Sequence, residues 1–407
     1  MFYDCIIIGG GASGLMLAAS LRVNNGLILE KTHHAGTKLL MSGGGRCNIT
    51  HGGSIKDFIS AYGDAGPKLR KCLYRHNNME LASWLESCGI SLADEKGDLI
   101  SSDEINNHGR IFPESMKSSD ILNLLLTQAK HNGWQLRTEA EVYDITRGED
   151  CAWSVYASPS EIYSSNIVVV ASGGITFPET GSDGSVFNII SGLGIDIIDP
   201  RSALAPVYVE DYPYEELSGI SISGVTVSVT PPGSTKPVRM TGDFLFTHRG
   251  FSGPVVLNIS RYAAPGCRMS ISYNRSIDNL PKKLRHVLES RSKGPSGDVK
   301  TSVLAKLLDS DEFTVTAVDE NGMVTAGGIS LDEIDLSTMM ITLLSGPEDD
   351  NTKGRASEEG GPSVKYGYIY AIGESIDADG ITGGYNLQMC WSTARTAADS
   401  IADNLSL

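Results

Sequence analysis

The first thirty residues constrain the fold of this chain more than any other part of it. They read MFYDCIIIGGGASGLMLAASLRVNNGLILE, in which an apolar run at 4–8 leads into Gly9-x-Gly11-x-x-Gly14 and a second apolar run follows at 26–30. This order predicts a strand, a glycine turn, a helix and a second strand. The first glycine permits the tight turn, the second admits a pyrophosphate to the backbone, and the third lets the helix lie close to the sheet. The pattern therefore predicts a dinucleotide-binding βαβ unit.

The acidic residue at the end of the second predicted strand supports this interpretation. Glu30 follows Gly9 at the distance where a carboxylate accepts hydrogen bonds from a ribose diol. The helix between them offers free N–H groups and a positive dipole end to phosphate. The motif alone does not distinguish FAD from NAD. A second such motif, typical of NAD(P)H-using flavoproteins of the disulfide-reductase type, is not found, since Gly173-Gly174 and Gly192-x-Gly194 lack the pattern.

Two later segments predict strand ends that meet the same crevice. IVVVASGGITFPETGSDGS at 167–185 is a buried strand that runs into a glycine turn. YGYIYAIGESIDADGITGGYNLQ at 366–388 is a strand, an acidic loop and a glycine pair before a helix expected over about 385–404. The carboxyl ends of strands in a doubly wound sheet meet at a ligand crevice. A glycine-rich turn with solvated acids is the alternative for the second segment.

The charge and cysteine content exclude several classes of protein. A net charge of −16 repels polyanions, so we predict neither a nucleic acid nor an anionic membrane partner. The first apolar run is short and contains Asp4, which predicts neither a signal peptide nor a membrane span, and we expect a cytoplasmic protein. The seven cysteines show no CxxC spacing, so we predict no disulfide framework and no metal site.

Seven stretches make the chain resemble a known group of bacterial flavoproteins. They are IIGGGASG at 7–14, GTKLLMSGGGRCNIT at 36–50, GRIFPES at 109–115, VVVASGGITFPETGSDG at 168–184, GDFLFTHRGFSGPVVLNIS at 242–260, VTAGGISLDEIDLSTM at 324–339 and IGESIDADGITGGYNLQMCWSTA at 372–394. In this order they resemble the BaiN-like or aminoacetone-oxidase-like family of NAD(P)/FAD-dependent oxidoreductases, the HI0933-like flavoproteins. The stretches span nearly the whole chain.

The resemblance implies an α/β fold with a Rossmann-like FAD-binding domain of the glutathione-reductase type. Both chain ends, 1–190 and 331–407, would form this domain. A β-barrel-like domain would be inserted at 191–275 and 311–330, with a small helical subdomain at 276–310. The polar segment at about 345–363 departs from the family pattern. It is predicted to be a disordered or mobile loop, with a lid over the substrate entrance as the alternative.

The resemblance also implies where FAD binds. The stretch Ser42-Gly43-Gly44-Gly45 would bring bare backbone to the flavin ring, and Lys38 and Arg46 would supply positive charge. Asn48 would bridge this loop to the cofactor, whereas Cys47 is either a structural thiol or a residue on the substrate side. The residues predicted to bind the cofactor are Gly9, Gly11, Ala12, Ser13, Gly14, Glu30, Lys31, Lys38, Ser42, Gly43, Gly44, Gly45, Arg46, Cys47, Asn48, Val142, Ala171, Ser172, Gly173, Gly373, Glu374, Asp377, Gly384, Tyr385, Asn386 and Leu387.

Three side chains are candidates for catalysis. His248 would transfer a proton, with a hydrogen-bonded structural histidine as the alternative. Tyr385, at the head of the last helix, would donate to a substrate carbonyl. Arg110 would bind a substrate carboxylate or anchor its loop.

The predicted function is that of an FAD-dependent oxidoreductase acting on a small or steroid-like organic molecule. We favour the reduction of a conjugated C=C bond with NAD(P)H as electron donor. An aminoketone-type amine oxidase that uses O2 is the alternative, and a tRNA-modifying flavoprotein is a further one that the acidic charge disfavours. The oligomeric state stays open.

Overall fold

The chain divides into two units. The computed structural model describes residues 1–148, 152–342 and 367–405. One unit comprises Met1–Pro200 and Gly327–Leu407, and the other comprises Arg201–Ala326. The domain boundaries predicted from the sequence stay a prediction. The segment at about 345–363, for which a loop or lid is predicted, lies outside the described residues.

A seven-stranded sheet forms the centre of the first unit. In spatial order its strands are Ile334–Asp335, Met340–Ile341, Tyr368–Ala371, Ile167–Val170, Cys5–Ile8, Gly26–Leu29 and Trp134–Arg137. The last five of these are parallel. The strands that begin at Cys5, Gly26 and Ile167 are buried along their whole lengths. Burial on both faces explains why their sequences are continuous apolar runs, and the predicted Rossmann-like fold is confirmed.

Two smaller sheets and a set of helices complete the first unit. One sheet contains Phe2–Tyr3, Glu161–Ser165, Trp153–Ala157 and Val142–Arg147, and the other contains Thr50–His51, Arg110–Pro113, Leu92–Asp94 and Leu99–Ile100. The α-helices are Ala12–Ser20, Thr37–Met41, Ile55–Ala61, Gly66–Arg75, Asn78–Ser87, Ser118–His131, Ser185–Gly192 and Tyr385–Leu405. Short 3-10 helices are Ser42–Gly45, Gly63–Ala65, Ile105–Asn107, Pro178–Thr180, Leu331–Glu333 and Gly373–Ser375.

The second unit contains a closed barrel of antiparallel strands. Around the barrel these are Val207–Val209, Gly250–Ser252, Val238–Phe246, Ser221–Val229, Arg268–Ser272 and Asp311–Val318. Its α-helices are Pro254–Ile259, Lys282–Arg291 and Thr301–Asp309, and its 3-10 helices are Glu215–Leu217, Ser260–Tyr262 and Ile277–Asn279. The strands Ile197–Ala203 and Val324–Ile329, near the points where the chain passes between the units, pair with each other. The predicted inserted β-rich region is thus present as a barrel.

The buried carboxylate of Asp311 links the helix Lys282–Arg291 to the barrel through hydrogen bonds. Asp311 has no exposed side-chain surface, and Arg291 donates to both of its carboxylate oxygens, at 2.8 and 2.9 Å. The hydroxyl of Tyr214 also donates to Asp311, and that of Tyr273 donates to the Tyr214 hydroxyl at 3.2 Å. These four residues are called the barrel cluster. Every one of them has a partner inside the cluster.

The helices were compared with the length and apolar character of membrane-spanning helices. Within the described ranges, no helix combines the length and the apolar character that crossing a bilayer requires.

Candidate functional site

The three glycines of the N-terminal motif have different surroundings. Gly9 has φ 108°, and a Cβ on it would lie 2.4 Å from the carbonyl oxygen of Ala171. A Cβ on Gly14 would lie 2.1 Å from the carbonyl oxygen of Gly9. A Cβ on Gly11 would meet no atom within 4 Å. Two glycines are therefore required by packing, whereas Gly11 faces open space at the start of the helix Ala12–Ser20.

That helix begins without a side-chain cap. Its N-cap residue is Gly11, which has no side chain, and no side-chain cap hydrogen bond forms there within the described residues. The N–H groups of a first helical turn have no partner within the helix. They and the positive end of the helix dipole therefore form a site that suits a phosphate group.

Three predicted cofactor segments meet at the carboxyl ends of neighbouring parallel strands. Gly9 packs against Ala171 and Ser172, as the close approach of its hypothetical Cβ shows. A Cβ on Gly373 would lie 2.5 Å from Oγ of Ser13. The region formed by residues 9–14, 171–173 and 373–375 is called the cradle. The structure thus brings together residues that are far apart in the sequence.

Two serine hydroxyls, one in the cradle and one next to it, have no hydrogen-bond partner within the described part of the chain. The Oγ atoms of Ser172 and Ser182 are both buried and unpaired. A Cβ on Gly173 would lie 2.7 Å from Oγ of Ser182, which places this hydroxyl next to the cradle. A buried hydroxyl without a partner costs about 1–3 kcal/mol. Open backbone at Gly11 together with unpaired hydroxyls fits a long polar cofactor such as FAD.

Glu30 and Lys31 anchor the loops at the edge of the cradle. The buried carboxylate of Glu30 accepts from the backbone N–H groups of Gly10 at 2.9 Å and Thr32 at 2.8 Å. Nζ of Lys31 lies 2.6 Å from carboxylate oxygens of both Glu141 and Asp183. Burial alone would lower the pKa of Lys31, but the bonds to these two carboxylates raise it. Both predicted side chains are therefore held in place by the protein itself.

Lys38 is paired with another predicted cofactor residue. Its Nζ lies 2.7 Å from the carboxylate of Glu374 and 2.8 Å from Oγ1 of Thr176. A direct contact of Lys38 with phosphate or with the reduced ring stays a prediction. Arg46 is exposed, with its guanidinium 4.9 Å from the ring centre of Phe112, so it remains the accessible cation beside the glycine loop.

The glycine loop is open backbone. Gly43, Gly44 and Gly45 have φ values of 58°, 68° and 84°, a region that favours glycine, and all three are exposed. A Cβ on Gly44 would meet no atom within 4 Å. In contrast, Cys47 is completely buried, and burial raises the pKa of its thiol to about 12. A protonated thiol in the core favours the structural interpretation of Cys47.

Hydrogen bonds join this loop to the start of the last helix. With the Asn48 amide oriented to satisfy both groups, it accepts from the N–H of Gly384 and donates to the carbonyl of Thr50, each at 3.0 Å. The indole N–H of Trp391 donates to the carbonyl of Ile49 at 2.9 Å. A Cβ on Gly384 would lie 2.4 Å from the Thr50 carbonyl oxygen, so the glycine permits the approach.

Four further residues predicted to bind the cofactor are described by their contacts within the protein. The amide of Asn386 accepts from the N–H of Gly380 at 2.7 Å and donates to its carbonyl at 2.9 Å, so it closes the preceding loop. The N–H of Asp377 donates to the carbonyl of Ile329 at 2.8 Å. Val142 is buried in its strand, and Leu387 is half-buried in the last helix. Contacts of all four with a cofactor stay predictions.

His51 is a residue that the sequence did not single out. The antiparallel pairing of Thr50–His51 with Arg110–Pro113 places His51 opposite Arg110. The His51 ring stacks on Tyr385, with centroids 4.9 Å apart and planes 17° apart. His51, Arg110 and Tyr385 are called the His51 cluster. Two of the three predicted catalytic residues thus lie beside a histidine that directly follows the quoted stretch 36–50.

The polar atoms of the His51 cluster differ in their partners. Nδ1 of His51 lies 2.7 Å from the carbonyl oxygen of Gly52, which only accepts, so Nδ1 carries a hydrogen. Arg110 is partly exposed, and Glu95 is 3.9 Å away. Burial, and next to it the charge of Asp57, raises the pKa of Tyr385. Its phenol therefore remains a hydrogen-bond donor at neutral pH.

His248, the third predicted catalytic residue, lies in the second unit. It is exposed and falls between the strands Val238–Phe246 and Gly250–Ser252. Its role in proton transfer stays a prediction.

Comparison with known proteins adds the family and its relatives. The family described as "HI0933-like protein Rossmann domain" matches residues 3–346. A ribosomal RNA dihydrouridine synthase of Haemophilus influenzae is 28% identical, over 98% of this chain and 99% of its own length. A 3-dehydro-bile acid delta(4,6)-reductase of Clostridium scindens is 24% identical, over 98% of both chains.

A solved structure with a similar fold is a flavocytochrome c3 fumarate reductase in its open conformation. The TM-score is 0.51, the identity is 14%, and the match covers 99% of this chain and 78% of that one. At this identity the likeness concerns the fold alone.

Proposed function

Because this chain belongs to the HI0933-like Rossmann-domain family, we propose that it is an FAD-dependent oxidoreductase which reduces a C=C bond conjugated with a carbonyl group. Membership confirms the resemblance that the seven sequence stretches indicate, and with it the oxidoreductase class. The names of two relatives that match over nearly their full lengths support the proposed reduction of a conjugated C=C bond. Forming dihydrouridine and reducing a 3-dehydro-bile acid at its delta(4,6) bonds both saturate a C=C bond conjugated with a carbonyl. The substrates share little else.

The residues of the cradle would hold the cofactor. The first turn of the helix Ala12–Ser20 and the open backbone at Gly11 would bind the pyrophosphate, and Glu30 would accept from the ribose. Oγ of Ser172 would gain the hydrogen bond that it lacks among the described residues. The open backbone at Gly44 would leave room for a ring and a substrate. Bound FAD supplies the hydride chemistry.

On the substrate side, the residues of the His51 cluster would bind and polarise the carbonyl. Arg110 offers a planar set of donors to a carbonyl or carboxylate oxygen. Tyr385, with its raised pKa, stays protonated and would donate to the same oxygen. When a conjugated C=C bond takes up a hydride, negative charge develops on the carbonyl oxygen. Donors directed at this charge lower the barrier because they bind the transition state more tightly than the ground state.

NAD(P)H is the electron donor that we propose for this reaction, and an aminoketone-type oxidase that uses O2 is the alternative. The two are separated by reducing the purified holoprotein without oxygen and then mixing it with one oxidant at a time. Cyclohexenone, a steroid enone and ribosomal RNA lacking dihydrouridine are the test substrates, with air as the competing oxidant. We expect one of the three substrates to reoxidise the protein faster than air. Reoxidation by air within seconds, with none by any substrate, would overturn the reductase.

Uridine in ribosomal RNA is a second candidate substrate, because a relative with that name matches over nearly the full length of both chains. The net charge of −16 favours a small molecule. The same assay separates them, with nucleoside mass spectrometry of the RNA as the readout. A gain of dihydrouridine would overturn the sequence-based prediction of no nucleic acid partner.

A further inference from the structure

We propose that His51 is the catalytic acid of this site and gives its Nε2 proton to the substrate. The inference rests on the proposed function, because it names the residue that completes the reduction of the C=C bond. Three observations carry it: the orientation of the ring, the open surroundings of Nε2, and the charged groups nearby.

The orientation of the His51 ring is fixed on several sides. Nδ1–H donates to the Gly52 carbonyl at 2.7 Å, and the ring face stacks on Tyr385. The backbone is held in a strand, and the carbonyl of His51 accepts from the side chain of Asn78 at 3.0 Å. With Nδ1 engaged, Nε2 is the nitrogen that binds and releases a proton. The ring is thus positioned for work at its Nε2 edge.

The Nε2 edge of His51 lies beside two glycines from different segments. A Cβ on Gly109 would meet Nε2 at 3.9 Å and nothing else within 4 Å. A Cβ on Gly383 would lie 3.9 Å from the same nitrogen. Among the described residues, no hydrogen-bond partner of Nε2 occurs. The absence of side chains on both flanks leaves space at the atom that would hold the proton.

His76 is a structural histidine with which His51 can be compared. Its Nδ1 lies 3.0 Å from the carboxylate of Glu80, and its Nε2 lies 3.0 Å from that of Asp399. Both nitrogens are used within the protein. His51 uses one nitrogen for the fold and leaves the other for a ligand.

The charged groups around His51 suit a substrate that becomes negative. Arg110 lies opposite on the neighbouring strand, with Glu95 3.9 Å from its guanidinium. Tyr385 lies against the ring, and Asp57, on the helix Ile55–Ala61, interacts electrostatically with His51. Arg110 and Tyr385 are donors for the carbonyl oxygen. The cluster therefore separates two tasks, binding of the oxygen and delivery of the proton.

The atoms and electrons of the step balance. Bound FAD would supply a hydride for a new C–H bond at the β carbon, and the π electrons would move onto the carbonyl oxygen to give an enolate. The α carbon of the enolate then takes the Nε2 proton and forms the second C–H bond. The neutral imidazole would regain a proton from solvent, and NAD(P)H would supply the electron pair for the next turnover.

The test compares His51→Gln with two other histidine variants. His286→Gln removes an exposed imidazole from a helix of the second unit and is the matched control. His248→Gln tests the competing proton donor. For the substrate that reoxidises the wild type, we expect His51→Gln to slow the single turnover about 100-fold, within the range for a general acid. We also expect it to abolish the decline of the rate at alkaline pH, while His286→Gln changes neither.

Two further readouts separate proton transfer from a structural role. Imidazole added to His51→Ala should restore part of the rate, with a dependence on the acidity of substituted imidazoles. Para-hydroxybenzaldehyde, whose phenolate resembles an enolate, should bind the oxidised wild type about tenfold more tightly than His51→Gln by calorimetry. Equal FAD content and circular dichroism of the variants establish that the fold is intact.

The possible outcomes point to different conclusions. If His51→Gln keeps the wild-type rate and its alkaline decline, His51 is not the acid. The same conclusion follows if His248→Gln alone loses the rate. If the wild type passes hydride to none of the three substrates, the proposed function fails, and the role of His51 fails with it.

Discussion

The barrel cluster and the cradle both contain buried polar groups, but they treat these groups in opposite ways. In the barrel cluster, Asp311 is fully buried and both of its oxygens accept from Arg291. The hydroxyl of Ser172 in the cradle and that of Ser182 next to it are buried with no partner within the described residues. A buried polar group is normally hydrogen-bonded, so an unpaired one calls for an explanation.

This contrast distinguishes polar groups that stabilise the fold from polar groups that are available to a ligand. In a fully paired cluster the polar groups bind each other. They stabilise the fold and are not available to a ligand. Unpaired hydroxyls near side-chain-free backbone weaken the empty protein, and a polar ligand can reverse that loss. The comparison predicts that substitutions in the two regions act on different measured quantities.

The largest expected effect is that of Asp311→Ala in the barrel cluster. It leaves the guanidinium of Arg291 and the hydroxyl of Tyr214 without their buried carboxylate. Breaking one side of a buried ion pair costs about 3–5 kcal/mol. We expect the free energy of unfolding, measured with urea, to fall by this amount.

The exposed Asp309 supplies the control, since Asp309→Ala removes a carboxylate from the neighbouring helix surface. It should change the unfolding free energy by less than about 0.5 kcal/mol. If Asp311→Ala also leaves the free energy of unfolding unchanged, the barrel cluster does not stabilise the fold and the comparison fails.

Gly11→Val is expected to weaken FAD binding strongly while leaving the stability of the apoprotein unchanged. Gly11 has φ −84°, which valine adopts, and a Cβ there meets nothing within 4 Å. The unfolding free energy of the apoprotein should therefore stay within about 0.5 kcal/mol. The new side chain would occupy the approach of the pyrophosphate, and we expect FAD to bind about 100-fold more weakly by fluorescence titration.

Gly9→Val is the counterpart within the same motif. Its φ of 108° and the Ala171 carbonyl at 2.4 Å both oppose a side chain. This variant should lose apoprotein stability as well as FAD. If Gly11→Val binds FAD normally, the open space at Gly11 is not part of the cofactor site.

The sequence predicts the strand, glycine turn and helix at the start of the cradle because the information for this part is local. The spacing of Gly9, Gly11 and Gly14 and the apolar run before them specify a βαβ unit without reference to any distant residue. The His51 cluster was missed because it depends on the register between two short strands that are far apart in the chain. Register is set by tertiary packing, which a local pattern does not contain.

Lys38 and Glu374 show the same limit. Each was predicted as a cofactor residue on its own, yet 336 positions of sequence separate two side chains that form an ion pair. The sequence contains both charges but not their contact.

A smaller effect, dependent on pH, is expected for His76→Gln. His76, Glu80 and Asp399 form a paired polar cluster in the first unit, and the variant tests whether paired clusters stabilise the fold there too. Burial lowers the pKa of His76, but the bonds to Asp399 and Glu80 outweigh it and raise that pKa above 6.5. We expect a loss of about 1 kcal/mol, because the two carboxylates are partly exposed.

The direction of the pH dependence follows from the shifts. The contribution of His76 is fully present below pH 6.5 and is lost as the pH rises through the raised value. Glu80 and Asp399 have lowered pKa values, so their contributions are present above 4.5 and 3.8 and are lost on acidification. The difference between wild type and His76→Gln should therefore be largest at about pH 4.5–6.5 and shrink in alkali. Urea unfolding at several pH values measures it, and a constant difference would contradict the assignment.

Ser182→Ala should change stability least, yet it tests the comparison directly, because it should raise the stability of the apoprotein and reduce the stabilisation that FAD adds. Ser182→Ala removes a buried hydroxyl that has no partner in the described part of the chain, so the apoprotein should become more stable by about 1 kcal/mol. In the loaded protein the same hydroxyl would bind FAD, so the stabilisation gained on adding FAD should be smaller than in the wild type. Thermal unfolding with and without FAD measures both, and Ser191→Ala, at an exposed position of the helix Ser185–Gly192, is the control. A variant that is destabilised in both states would mean that the hydroxyl supports the fold, as the groups of the barrel cluster do, and that the two regions do not differ.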